Sequence, residues 1–156
     1  MKISVAIITA TYPAVGEVFE LTLDGDAPEN QPLEMVRRDG YANDWKHNGP
    51  VVKGRHTKHF KLVEIGYCKR FAEVLGKLGA HGEIPNGQWR ESFKTKYNGP
   101  DCKGHIGVAD VSWLSEENEE NVACFPFLDG NSGTSGFLCH DHYFLEAWRW
   151  LVEVNG

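Results

Sequence analysis

The sequence lacks the features that mark several large classes of protein. It has only four cysteines and two methionines in 156 residues, and the cysteines form no recognisable disulfide framework. It contains no run of 18 or more apolar residues, the length that a membrane-spanning helix needs. No internal repeat, low-complexity segment, Walker-type loop or G-x-G-x-x-G motif is present. We therefore expect reduced thiols in a soluble, cytoplasmic protein that has no membrane partner.

The composition suits one folded domain. The chain is 41% hydrophobic, 24% charged and 12% aromatic, a mixture typical of a globular core and unlike that of a disordered or fibrous protein. A chain of this length can bury a core without disulfides to support it. We predict a single domain that spans residues 1–156.

The apolar pattern predicts strands and helices in separate parts of the chain. Strands are predicted at residues 1–10, 17–23, 58–65, 105–113 and 121–128. Helices are predicted at 67–78 and 87–97, with a short element at 33–38. A last helix is predicted after Asp141, which would cap it, from an apolar stripe of Phe144, Ala147, Trp148, Leu151 and Val152. This order indicates an α+β fold, a mixed or antiparallel sheet packed with about three helices.

Positive charge is concentrated in the middle of an acidic chain. The net charge of −6, from 16 Lys and Arg against 22 Asp and Glu, disfavours broad, nonspecific nucleic-acid binding. Residues 37–70, however, carry nine Lys and Arg against three acids, a net charge of +6. The flanking segments, 1–36 and 71–156, have net charges of −5 and −7. This distribution predicts either a local basic site or three segments that neutralise one another in the fold.

The basic middle segment is the first candidate site. Arginine and lysine suit phosphate or carboxylate groups, and aromatic faces let a base stack. We therefore predict an anionic small molecule, such as a nucleotide or a phosphate group, or an acidic partner as the ligand. The residues predicted to contact it are Arg37, Arg38, Tyr41, Trp45, Lys53, Arg55, His56, Lys58 and His59. The alternative is a solvated basic face with no ligand.

Cysteine and histidine residues form a second candidate site, for a metal. Cys102 and His105 have the spacing of a pair of zinc ligands, and His140 and His142 would complete a set of four. Because Cys139 and His140 are adjacent, and so point apart in a strand, the second pair is irregular. The alternative, which we favour over zinc, is that these are thiols and histidines with no metal.

A third candidate site pairs a cysteine with a histidine for nucleophilic catalysis. Cys68 is predicted in the first turn of the helix at 67–78, where the helix dipole and two following cations favour a thiolate. His105 opens the strand predicted at 105–113, and a polar residue opens the next one. This order is similar to that of papain-like amidases, at these positions alone. The resemblance implies a small hydrolase with Cys68 as nucleophile and His105 as its base, and the alternative is a buried core cysteine.

The sequence therefore predicts a small intracellular binding or accessory protein that holds an anionic ligand through its basic middle segment. Two other classes stay open. One is a small hydrolase that uses the Cys68–His105 pair or a bound zinc, and the other is a structural assembly subunit whose exposed aromatic side chains make the contacts. An oligomer is compatible with each of them.

Overall fold

The computed structural model describes residues 11–117, 120–139 and 142–156. Those residues form one eight-stranded sheet and three helices. The strands are β1 (Phe19–Asp24), β2 (Lys46–His47), β3 (Arg55–Glu64), β4 (His105–Gly107), β5 (Trp113–Glu117), β6 (Glu120–Asp129), β7 (Thr134–Cys139) and β8 (Arg149–Val154). The helices are α1 (Pro32–Arg38), α2 (Phe71–Leu78) and α3 (Trp89–Lys96), and a 3-10 turn (Pro28–Asn30) precedes α1. The fold is therefore α+β with a mixed sheet, as predicted.

The sheet is antiparallel except at one junction. Its order is β1-β3-β8-β4-β6-β5-β2, and β7 pairs with β6 as well. The parallel pair is β4 with β8, in which Ile106 lies opposite Arg149. Gly107 of β4 faces Trp150, and a Cβ at Gly107 would lie 2.6 Å from the Trp150 ring. The absence of a side chain there therefore lets the indole cover the β4 backbone.

Each face of the sheet has its own hydrophobic core. On one face α3 contributes Trp89 and Phe93, which pack with residues of β1, β3 and β8 such as Leu151. On the other face α2 contributes Phe71 and Val74, which pack with residues that include Val63, Phe125 and Trp150. Adjacent residues of β8 therefore enter opposite cores, because side chains alternate along a strand. A third, smaller cluster joins α1 to β5, β6 and β7.

The structure confirms most of the predicted elements with shifted ends. The strands predicted at 17–23 and 58–65 are β1 and β3, and the helix predicted at 87–97 is α3. The strand predicted at 121–128 is most of β6, and the short element at 33–38 is α1. The strand predicted at 1–10 and the cap at Asp141 lie outside the described residues.

The prediction of a last helix is wrong. Residues 149–154 form β8, and a two-residue antiparallel bridge joins Phe144 to Cys68. Both faces of β8 are buried, so its residues are apolar in a nearly continuous run that also satisfies helical spacing. Because Cys68 is in this bridge, α2 begins at Phe71 and not at residue 67. The strand predicted at 105–113 is confirmed only at its start, because β4 ends at Gly107, residues 108–112 are in no strand, and β5 begins at Trp113.

Candidate functional site

Most of the predicted basic site is neutralised by acids from elsewhere in the chain. The side chain of Arg38 donates to Glu91 Oε2 at 2.9 Å, and Lys58 Nζ lies 3.0 Å from Glu153 Oε1. The ring of His59 lies 3.0 Å from a Glu20 carboxylate oxygen, and Arg37 pairs with Glu34 on α1. The second possibility raised by the charge distribution, neutralisation between segments, therefore accounts for these four side chains.

The remaining predicted residues do not converge on one place. Tyr41 and Trp45 pack on each other at 4.9 Å and on Phe137, and the Tyr41 hydroxyl donates to the Phe137 carbonyl at 3.2 Å. His56 Nε2 lies 2.7 Å from the carbonyl of Lys53, which holds that ring against its own strand. Arg55 stands apart from all of these residues, at the start of β3 and opposite Asp24 of β1.

Arg55 lines a cleft between β1 and α3. The cleft has a volume of about 460 Å³. Its walls are formed by β1, the start of β3, the 3-10 turn and α3. The lining residues are Glu20, Thr22, Asp24, Glu29, Asn30, Arg55, Glu91, Ser92, Thr95 and Lys96. Of the nine residues predicted to bind an anion, Arg55 is the one in this lining.

Hydrogen bonds between α3 and the edge of β1 fix the shape of the cleft. Ser92 Oγ donates to the carbonyl of Thr22 at 2.5 Å, and Lys96 Nζ donates to the carbonyl of Glu20 at 2.6 Å. Asn30 Nδ2 donates to the carbonyl of Asp24 at 2.9 Å, which holds the 3-10 turn to the end of β1. These bonds are backbone-directed, so the cleft keeps its geometry without a ligand.

A buried arginine holds Glu91 in the wall of the cleft. The guanidinium of Arg90, on the adjacent position of α3, donates to Glu91 at 2.5 Å and to Asp39 at 2.8 Å. It also donates to the carbonyl of Gly136 at 2.8 Å. Arg38 donates to the second oxygen of Glu91, so this carboxylate has two cationic partners. Its charge is therefore compensated inside the protein.

Two of the acids that line the cleft have partners of their own. Glu91 is held by two arginines, and Glu20 lies beside His59. The other charged residues of the lining are Asp24, Glu29, Arg55 and Lys96. Arg55 is exposed, and within the described part of the chain its guanidinium makes no ion pair and no hydrogen bond. Arg55 is thus a cation with its donors available to a ligand.

A second cleft surrounds the other buried arginine. Arg149 donates through two nitrogens to the carboxylate of Asp101, at 2.5 and 3.0 Å, and donates to the carbonyl of Gly104 at 2.9 Å. Tyr12 lines the same cleft, and its pKa is raised mainly by burial and further by Asp101. Because Asp101 already takes both of these Arg149 donors, Arg149 is less available to a ligand than Arg55 is, and exposed Lys103 is the other cation of this lining.

The structure separates Cys68 from His105. Cys68 is fully buried against Phe144, and their backbones exchange two hydrogen bonds, of 3.0 and 2.7 Å. It precedes α2 and is not in its first turn. His105 packs edge-on against Trp148 at 4.8 Å, and its Nδ1 lies 3.4 Å from an Asp129 oxygen. No hydrogen bond between Cys68 and His105 occurs among the described residues.

The predicted metal ligands are only partly within the described residues. Cys102 is exposed in a loop and has a positive φ of 63°, and His105 is half-buried on β4. His142 is exposed, and His140 lies outside the described residues. In the ranges 11–117, 120–139 and 142–156, no three histidine, cysteine or acidic side chains group as a metal site would require.

Sequence reasoning missed most of the cleft. Thr22, Ser92, Thr95 and Lys96 come from two elements far apart in the chain, and none of them belongs to a recognisable motif. The helix that carries the last three was predicted, but not which of its residues would line a cleft. The strand pairing that places Arg55 beside them had no comparable signal.

Comparison with known proteins gives no family for this chain. No protein-family model matches it, and neither a curated protein nor a solved structure matches it. No helix in the described ranges is both long enough and apolar enough to cross a membrane. The functional argument therefore depends on the geometry of the clefts and on the charges described above.

Proposed function

We propose that this protein is a binding or accessory protein that holds a small polar ligand in the cleft between β1 and α3. Arg55 would bind an anionic group of that ligand. The observation that carries the proposal is the contrast among the predicted cations. Arg37, Arg38, Lys58 and His59 each lie against an acid of the same chain, whereas Arg55 lines the cleft and makes no ion pair among the described residues.

The acids of the cleft narrow the class of ligand. A purely anionic molecule would be repelled by Asp24 and Glu29, which line the same space. A molecule with one anionic group and several amino or hydroxyl donors would instead satisfy both signs of charge. Nucleotides and phosphorylated amino sugars have this chemistry, and the volume of about 460 Å³ lies in the range of small-molecule sites.

Binding can be tested with a panel of such compounds and one matched pair of variants. Inorganic phosphate, nucleoside monophosphates and sugar phosphates are titrated by calorimetry at low salt and again at high salt. We expect at least one compound to bind the wild type, less tightly at high salt, and to bind Arg55→Ala at least about tenfold more weakly because a charge-assisted hydrogen bond is lost.

Arg70→Ala is the matched control. Arg70 is also an exposed arginine, but it precedes α2 and is outside the cleft. The control should bind as the wild type does. Equal weakening by Arg55→Ala and Arg70→Ala would mean that the ligand senses only overall charge. No binding by any member of the panel would also contradict the proposal.

The other two classes have less support. The full burial of Cys68 and its separation from His105 weigh against the thiol hydrolase, because a nucleophile needs access to substrate. An exposed patch of Tyr67, Tyr143 and Leu145 suits an assembly subunit, and each of these side chains is about half exposed or more. Nothing in the described residues indicates what would cover that patch, so binding in the cleft is the function we propose.

A further inference from the structure

Two cysteines face each other across the β6–β7 hairpin. Cys124 of β6 lies directly opposite Cys139 of β7 in the antiparallel register. Their sulfur atoms are 3.1 Å apart, and no disulfide joins them in this structure. Directly opposed residues of an antiparallel sheet have Cα atoms about 4.5–5.5 Å apart, which falls within the window of about 4.4–6.8 Å that a disulfide requires.

The two thiols differ in access. Cys124 is fully buried in the cluster that joins α1 to the sheet, with its sulfur 3.4 Å from the Val122 carbonyl and 3.6 Å from Ser115 Oγ. Cys139 is only partly buried, at the end of β7. Cys139 is therefore the more exposed of the two residues, and we expect an oxidant in solution to reach it first.

We propose that Cys124 and Cys139 are a redox-active pair that closes into a disulfide when the protein meets a small-molecule disulfide. The Cys139 thiolate attacks one sulfur of the reagent, the reagent's S–S bond breaks, and one thiol leaves with the mixed disulfide formed on Cys139. The Cys124 thiolate then attacks the Cys139 sulfur and releases the second thiol. Two protein thiols are oxidised, and one reagent disulfide is reduced to two thiols.

The disulfide would cross-link the β6–β7 hairpin, which is hydrogen-bonded to residues outside the sheet. On β7, the carbonyl of Gly136 accepts from Arg90 and Ser135 Oγ donates to Asp39 at 2.6 Å. Closing the loop between residues 124 and 139 restricts the unfolded chain, so the oxidised protein should melt at a temperature higher by about 5 °C. The proposal is independent of the ligand and would stand if Arg55 bound nothing.

The test uses glutathione disulfide and a Cys102→Ala parent, which removes the exposed thiol. After incubation of the folded parent, we expect a peptide that links residues 124 and 139, with no glutathione retained. The same reaction in urea should be at least about tenfold slower, because the fold no longer holds the sulfurs together. A retained glutathione adduct, or equal rates in the folded and unfolded states, would overturn the proposal.

Two further variants test the order of attack. In the parent background, Cys124→Ser should trap one glutathione on Cys139, because the resolving thiol is gone. Cys139→Ser should take up none while folded, because Cys124 is buried. A glutathione adduct on Cys124 in the folded Cys139→Ser protein would overturn the assigned order. The cross-link in the parent tests the pair even if a serine variant fails to fold.

Discussion

The positive charges of the buried arginines and of the exposed basic segment are compensated in different ways. Arg90 and Arg149 are almost fully buried; Arg90 donates to two carboxylates and Arg149 to one, and each also donates to a backbone carbonyl. Lys58 and His59 keep more than a third of their side chains exposed and lie beside single acids. Basic side chains are therefore part of the packed interior in one region and part of the solvated surface in the other. Arg55 belongs to neither group, and it differs from the exposed Lys53 in that it lines the cleft.

The largest expected effect comes from breaking the network around Arg90. Arg90→Met keeps much of the side-chain volume but leaves Asp39 and Glu91 without one of their cationic partners. Because the side chains of both acids are buried, we expect the free energy of unfolding to fall by about 5 kcal/mol, measured by urea denaturation.

A double variant separates charge from packing at this site. Adding Asp39→Asn to Arg90→Met removes the carboxylate that would be left uncompensated, so part of the lost stability should return. Lys58→Ala breaks an exposed ion pair with Glu153 and should cost less than about 1 kcal/mol. If Lys58→Ala were as costly as Arg90→Met, the distinction between the two regions would be wrong.

Arg149→Met should have the second largest effect. It removes both hydrogen bonds to Asp101 and leaves the carbonyl of Gly104 without that donor. One acid is affected here and not two, so we expect a loss of about 3 kcal/mol in the same urea experiment. Burial and Asp101 raise the pKa of Tyr12 and Arg149 lowers it, so removing Arg149 should raise that pKa further, which absorbance can follow. An unchanged unfolding midpoint would show that Asp101 finds enough solvent to replace the arginine.

The smallest effect on stability is expected from the protonation of His47. His47 Nε2 is buried beside Trp113, and it has no hydrogen-bond partner in the ranges that the structure describes. Burial lowers the pKa of His47 below 6.5, and Asp110 opposes that shift. As the pH falls below about 6.5, the unfolded state takes up the proton more readily, so stability decreases. Above both pKa values His47 contributes no pH dependence.

The measurement compares urea midpoints of the wild type and His47→Gln from about pH 7.5 down to about pH 5.5. Other groups titrate equally in both proteins, so the difference between them isolates His47. The midpoint of the wild type should fall more steeply than that of the variant. Parallel curves would contradict a burial-lowered pKa at this residue.

β1 and β8 show why one strand was predicted from the sequence and another was not. β1 buries Phe19, Leu21 and Leu23 and exposes the residues between them, so its alternation is visible in the sequence. β8 lies between β3 and β4 with a core on each face, and its residues do not alternate between apolar and polar. A helix and a strand buried on both faces give the same pattern, and only the neighbouring strands decide between them.

The candidate site was predictable only in part, for a related reason. The basic segment was visible because its residues are close in sequence. Its acidic partners, such as Glu20, Glu91 and Glu153, come from three distant elements, and strand register and the packing of α3 bring them near. The cation that stays available could not be identified from composition, because availability depends on those distant acids.

Within residues 11–117, 120–139 and 142–156, β1 is the first strand of the sheet, and its outer side bears on association between chains. An edge strand with open carbonyls and amides can recruit the strand of another molecule and so extend the sheet into an aggregate. Here Ser92 and Lys96 of α3 occupy the outward carbonyls of Thr22 and Glu20. These two side chains, which also shape the cleft, therefore leave fewer β1 carbonyls available to pair with a strand of another molecule.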